Sequence, residues 1–206
     1  MTIKTENFTG FTLVELLISL ALSLIVLTSV SNAFISQRKT YDAQEQMTEL
    51  IQGTRGVMEI ITREIKLAGF DPTGNAFDDS AGPYAIPYST TQLEVRADLD
   101  GDGTASSSDT NELIIYTHDG SNMELERNAG QAFSYARLLA ENIQTFTFDY
   151  LDKDGNATTT AADIRMIEIT ITGRTAKPDS NYGQNSGYRT YTLTSKVSPP
   201  NLAIEL

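Results

Sequence analysis

From Leu16 to Ser36 the chain carries no charged residue. A helix needs roughly 20 predominantly apolar residues to cross a bilayer, and this run supplies them. Inside hydrocarbon a helix also satisfies its own backbone groups, which few other structures do. One carboxylate, Glu15, stands at the start of the run. An ionised carboxylate near the bilayer centre costs about 2.5–3.5 kcal/mol on insertion scales, so a chain that keeps one there has a use for it. Flanking charge barely fixes the orientation. Lys4 and the initiator amine precede the run and Arg38 and Lys39 follow it, a near tie by the positive-inside rule. Ser31-Asn32-Ala33 is a small-x-small site, and cleavage after Ala33 would instead make the run a secretory signal. Against that, the run exceeds the usual 7–15 residues, roughly, of such a segment, and Glu6 offsets Lys4 in the preceding stretch.

Gly10-Phe11-Thr12-Leu13-Val14-Glu15, followed by this run, resembles the prepilin signature of type IV pilins and type II secretion pseudopilins. The resemblance implies a dedicated peptidase that cuts between Gly10 and Phe11 and then methylates the new terminus at Phe11. It implies that Glu15 pairs with the terminal amine of a neighbouring subunit. It also supplies the orientation: a leader at 1–10, a transmembrane and assembly helix at 11–36, and a C-terminal domain in the periplasm. The physics agrees. A buried amine and a buried carboxylate are each costly alone, and a well-formed pair offsets much of that cost. The Phe11 amine and Glu15 lie one helical turn apart within a subunit. A stagger along a fibre axis brings the amine of one subunit to the Glu of the next. The bland alternative is an ordinary membrane anchor with an incidental Glu.

The helical pattern continues past the apolar run. Between Tyr41 and Ala68 there is no Pro, and Ala43, Met47, Leu50, Ile51, Val57, Met58, Ile61, Ile65 and Ala68 recur mostly at spacings of three and four. That makes one apolar stripe, an amphipathic continuation over 37–68. Charged side chains, Arg55, Glu59, Arg63, Glu64 and Lys66 among them, are assigned to the opposite, solvated face. A helix from Phe11 to Ala68 would be roughly 85 Å long. Gly53 and Gly56 are weak points, sites for a bend or for close approach of a sheet. Gly69 is a natural stop, with Pro72 soon after.

Beyond Gly69 the period changes to that of strands. Residues 69–91 read as an irregular connection. Strands are expected at Gln92–Arg96, Glu112–His118, Asn122–Arg127, Ile143–Leu151, Ile164–Arg174 and Tyr188–Val197. In Met166–Thr172 the isoleucines at 167, 169 and 171 alternate with polar residues, so one face is buried. Asp119-Gly120 and Asp152-Lys153-Asp154-Gly155 supply turns. The buried face and the helical stripe each need a partner, and each is the natural partner of the other. The fold class is therefore α+β: a long N-terminal helix, transmembrane in its first half, packed on an antiparallel sheet formed within 69–206. This is the layout of a pilin. Thr40-Tyr41 and the segment from Met58 through Thr62-Arg63-Glu64-Ile65-Lys66-Leu67-Ala68-Gly69-Phe70-Asp71-Pro72 resemble the helix end of PilW-type minor pilins. The tail Val197-Ser198-Pro199-Pro200-Asn201-Leu202 is similar to that group's C-terminal pattern, without its usual basic residue near the Asn. GspJ-type pseudopilins share the architecture.

The formal net charge is −12, with only 15 Lys and Arg. Such a chain is unsuited to holding a polyphosphate backbone, so nucleic acid is not an expected partner. There is no Cys and one His, which argues against zinc sites and nucleophile–base pairs. His118 has no catalytic companion in a recognisable spacing and reads as structural. The expected activity is assembly, not catalysis.

One loop suggests a cation. Asp98-Leu99-Asp100-Gly101-Asp102-Gly103-Thr104, with Asp109 at the twelfth place, has the spacing of a calcium loop. Asp98, Asp100, Asp102 and Asp109 would supply carboxylates and Thr104 a backbone carbonyl. Four carboxylates in a short loop repel one another without a cation. Against this, the twelfth residue is Asp, not the longer Glu, and the flanks read as strands. The alternative is an acidic connection solvated by water. Asp152, Asp154, Asn156 and Asp163 repeat part of the spacing, but Ala157 occupies the glycine place and a turn is the better reading. Calcium is thus a possible ligand and no other cofactor is expected.

Taken with the resemblance, these residues describe a minor pilin held in the inner membrane by one span, later part of a fibre or its tip. The implied partners are other major and minor pilins, the prepilin peptidase, the inner-membrane assembly platform and the membrane itself. A GspJ-like part of a secretion machine and a calcium-dependent adhesive tip module are the alternatives.

Overall fold

A computed structural model describes residues 10–77, 84–106, 108–109, 111–130 and 136–202. The chain forms two compact units, Met1–Glu45 and Gln46–Leu206. Helix α1 runs without interruption from Leu13 to Ile65. In the first unit its apolar side chains are exposed, Leu13, Leu16, Leu20, Leu24, Leu27 and Phe34 among them. Its apolar stretch is long enough to cross a membrane and none of it is buried against the rest of the chain.

In the second unit the stripe inferred from spacing is the buried face. Val57, Met58, Ile61 and Ile65 are buried, and Ala68 just beyond the helix joins them. Among the described residues seven strands follow: β1 Gln92–Arg96, β2 Leu113–Asp119, β3 Glu124–Ala129, β4 Arg137–Ala140, β5 Ile143–Leu151, β6 Met166–Arg174 and β7 Thr190–Val197. They form two antiparallel sheets rather than one, ordered β1-β2-β3-β4 and β5-β6-β7. In β6 burial alternates along the whole strand, with Ile167, Ile169 and Ile171 fully inside. Both sheets and the helix share one core, in which Ile61 and Ile65 join Leu93, Tyr116, Leu125, Phe146 and Ile169.

The sheets are joined at one corner by polar bonds. Ile143 donates its N–H to the Met123 carbonyl (2.9 Å) and accepts from His118 Nε2 (2.8 Å). A carbonyl only accepts, so Nε2 carries the proton and His118 is a structural donor. The Asp152–Asn156 segment is a turn: Asp152 accepts the N–H groups of Asp154 (2.9 Å) and Asn156 (2.8 Å), and Gly155 has φ +83°.

Two expectations about the helix change. Gly53 and Gly56 lie within the uninterrupted helix and admit no close neighbour, since a Cβ at either position would meet nothing within 4 Å. The close approach lies on the sheet, at Gly173 of β6, where a Cβ would sit 2.6 Å from Leu50 Cδ1 and 3.0 Å from Thr54 Oγ1. Glu64 is not on the solvated face. It is 8% exposed and accepts hydrogen bonds from the Tyr116 hydroxyl and from Arg127 Nε (3.0 Å), with Arg127 Nη2 at 2.8 Å. Residue 64 lies at the edge of the buried arc, beside Val57 and Ile61, and a charge belongs there only because β2 and β3 bring Tyr116 and Arg127 to it. Burial and the Glu64 carboxylate both push the Tyr116 hydroxyl well above its ordinary pKa.

Beyond the helix, Gly69 adopts φ +74°, as expected of a C-terminal stop. The C-terminal tail completes this end. Asn201 Nδ2 donates to the Ala68 carbonyl (3.2 Å), and a Cβ at Gly69 would meet Leu202 Cδ2 at 2.9 Å. The segment after the helix and the C-terminal tail therefore touch one another, the tail satisfying a carbonyl left open there.

Candidate functional site

At the N-terminus the chain builds a capping box. Thr12 is the N-cap: its carbonyl accepts the first helical bond, from Leu16 N–H (3.1 Å). Its hydroxyl accepts from Glu15 N–H (3.3 Å), and Glu15 Oε2 accepts from Thr12 N–H (2.9 Å) and Thr12 Oγ1 (2.8 Å). The reciprocal pair satisfies donors that a helix start leaves open, and a carboxylate here also favours the helix dipole. The signal is in the sequence as Thr-x-x-Glu before an apolar run, whereas the reading of Glu15 rests on its charge and on the prepilin signature. Both Thr12 bonds fall on Oε2. Among the described residues Oε1 accepts none, and Glu15, Phe11 and Gly10 are all exposed. One oxygen of Glu15 thus fixes the helix start, while the other has no hydrogen-bond partner among the described residues.

The acidic loop lies between β1 and β2. Its mouth is closed by the Ala97 N–H on the Glu112 carbonyl (2.9 Å), one step beyond the Arg96–Leu113 pair of the ladder. Asp98 is fully buried and takes two backbone donors, Gly101 N–H on Oδ1 (2.7 Å) and Gly103 N–H on Oδ2 (3.0 Å). Both glycines have positive φ, +79° and +84°, a conformation open to Gly at no steric cost, and this bends the loop around the carboxylate. Asp98 N–H in turn donates to the Phe70 carbonyl (2.8 Å), so the loop sits on the segment after Gly69.

The carboxylates that converge are Asp98, Asp100 and Glu112, each offering one oxygen within 4.8 Å of the others. The remaining predicted residues are engaged elsewhere. Asp102 Oδ1 accepts from Thr104 N–H and Thr104 Oγ1, both at 2.8 Å, and Asp109 Oδ2 accepts from Ser106 Oγ (2.9 Å) and Ser108 Oγ (3.2 Å). Glu112 lies beyond the twelve-residue window of a calcium loop and was assigned to a strand, so spacing gave no hint of it.

Sequence comparisons agree with the N-terminal geometry. The prokaryotic N-terminal methylation motif matches residues 7–31. The profile of prepilin peptidase-dependent protein B matches residues 43–198, most of the amphipathic part of α1 and all seven described strands. No curated protein is detectably similar to the chain. Among solved structures it is similar to a type IV-like pilin, TTHA1219 from Thermus thermophilus, with 12% identity and a TM-score of 0.45, covering 74% of this chain and 98% of that one. Members of these prepilin families are structural proteins, not enzymes, and processing by the prepilin peptidase is implied by membership. The chain carries a prepilin methylation motif and belongs to the family of prepilin peptidase-dependent protein B.

Proposed function

We propose that this protein is a minor pilin of the PilW type, stored in the inner membrane by one span and recruited into a type IV pilus or its initiation complex. The observation that carries this reading is the N-terminal helix, whose apolar side chains are exposed along 13–35. Such a surface is stable in lipid or against other apolar helices, but not in water. In this reading the peptidase cuts between Gly10 and Phe11, methylates Phe11, and leaves residues 37 onward in the periplasm. The Phe11 amine of an incoming subunit meets Glu15 of a neighbour at the open Oε1. The pair offsets the desolvation of both charges and sets the axial register. The inner-membrane assembly platform and the major and minor pilins are the partners, and a GspJ-like role in secretion uses the same helix chemistry.

The test is the location of the assembled protein. A tagged copy, expressed at native level in cells that make pili, is followed in sheared fibres and in crosslinks to other pilins. The expected result is a small, reproducible amount in the fibre fraction, lost when the prepilin peptidase is removed. Retention of all of it in the membrane, with no pilin crosslinks in cells that make abundant fibres, contradicts the assignment.

A further inference from the structure

We infer that the β1–β2 loop holds one calcium ion between Asp98, Asp100 and Glu112. Three observations converge on this. Asp98 is 0% exposed and Glu112 is 1% exposed, so two carboxylates are taken out of water side by side. Glu112 Oε1 accepts from the N–H groups of Leu99 (2.8 Å) and Asp100 (3.2 Å), whereas Glu112 Oε2 is buried with no hydrogen-bond partner among the described residues. Among the described residues the ion pairs join Arg96, Arg127, Arg189 and Lys196 to Glu94, Glu64, Asp179 and Glu168, and none reaches this cluster.

A buried carboxylate oxygen without a donor is costly, and two further acidic side chains within 4.8 Å add repulsion. Backbone N–H groups satisfy Asp98 in part but carry no full positive charge. A divalent cation supplies the missing charge and the missing partner at once. The donor set is all oxygen, with no His, and that selects a hard ion. Calcium takes six to eight oxygens in flexible geometry, which suits carboxylates arriving from two ends of one loop, with water and loop carbonyls completing the shell. Magnesium asks for a near-ideal octahedron and gives up water reluctantly, so it fits less well. This ligand set is not that of the twelve-residue loop read from spacing. Glu112, at the mouth of the β1–β2 ladder, takes the part assigned there to Asp109.

Such an ion would clamp the start of the loop to its end and, through Asp98, to the chain after the helix. A Cβ at Gly103 would lie 3.3 Å from Thr73 Oγ1, so the glycine loop already presses on that segment. The inference stands independently of the role in pilus assembly.

The full chain in detergent, stripped with a chelator, is titrated with calcium and with magnesium by calorimetry, and its melting is followed in parallel. One calcium ion per chain is expected, with a melting temperature that rises with calcium concentration by mass action and a smaller response to magnesium. Asp100→Asn should weaken calcium binding by roughly 100-fold and abolish the rise, in line with the sensitivity of metal sites to altered ligand shells. Asp100 is exposed and the Asn keeps an oxygen for the Asp102 N–H, so this variant retains the loop's own bonds. Glu112→Gln is expected to do the same where it folds. Asp109→Asn is expected to leave calcium binding intact. Identical melting with calcium and with chelator overturns the inference. So does weak binding of several ions that Asp100→Asn leaves unchanged, and so does loss of binding in Asp109→Asn while Asp100→Asn is unaffected.

Discussion

Glu64→Ala is expected to destabilise the sheet-bearing unit by about 3–5 kcal/mol, the usual consequence of deleting one partner of a buried ion pair. The loss has two parts. Arg127, whose side chain is only 21% exposed, loses its carboxylate and keeps a single 3.2 Å bond to Asn111 Oδ1. The buried Tyr116 hydroxyl loses its acceptor, and an orphaned buried donor carries its own penalty. Chemical denaturation of the full chain in detergent measures the change. The double variant Glu64→Leu with Arg127→Met should recover much of the stability, because it removes both charges and leaves apolar bulk. A change below about 1 kcal/mol in Glu64→Ala would mean that the pair is solvated and that α1 is held by its apolar stripe alone.

Glu15→Ala is expected to lower incorporation into fibres by on the order of a hundredfold or more, since an uncompensated buried charge costs several kcal/mol and each 1.4 kcal/mol is about tenfold. The capping box makes a sharper test possible. In the proposed reading Glu15 has two roles, a neutral one towards Thr12 and a charged one towards a neighbour's amine, and they separate by substitution. Glu15→Gln keeps the reach back to the Thr12 N–H, because a capping box accepts Gln as well as Glu. It loses the negative charge. If register is set by charge, both variants accumulate in the membrane at parental level, are cut after Gly10, and fail in sheared fibres and crosslinks. If Glu15→Gln assembles like the parent while Glu15→Ala fails, Glu15 serves as a helix cap only. If both assemble, Glu15 has neither role in the fibre.

The parts of this molecule that were legible in the sequence are those dictated by local periodicity. Ile167, Ile169 and Ile171 alternate strictly, and they are fully buried because a strand turns one face inward every second residue. The helical stripe at 57, 58, 61 and 65 was equally legible, although α1 ends at Ile65, short of the stop expected at Gly69. What long-range packing decides was not legible. The strand at Arg137–Ala140 is four residues long, half exposed and without alternation, and exists because it pairs with β3. The division into two sheets follows from the corner at Ile143, where His118 and Met123 hold one sheet to the other, and no periodic signal marks that corner. Glu64 was misplaced because a charge was taken to mean solvent, whereas its partners lie on strands 52 and 63 residues away in sequence.

The candidate sites divide in the same way. Gly10, Phe11 and Glu15 are proposed from one short sequence motif, and to that motif the structure adds the Thr12 bonds of Glu15. In the acidic loop, Asp98 and Asp100 were found from spacing. Glu112 was not, because it enters the cluster through the pairing of β1 with β2.

The central claim is that the chain is a processed prepilin whose mature helix begins at Phe11. Mass spectrometry of the N-terminal peptide, from protein made in cells with an active prepilin peptidase, tests this most directly. The account predicts a mature terminus at Phe11 bearing an N-methyl group, with that species missing when the peptidase is inactivated. A mature terminus at Phe34, left by cleavage after Ala33, would contradict it, because the assembly helix would then have been discarded.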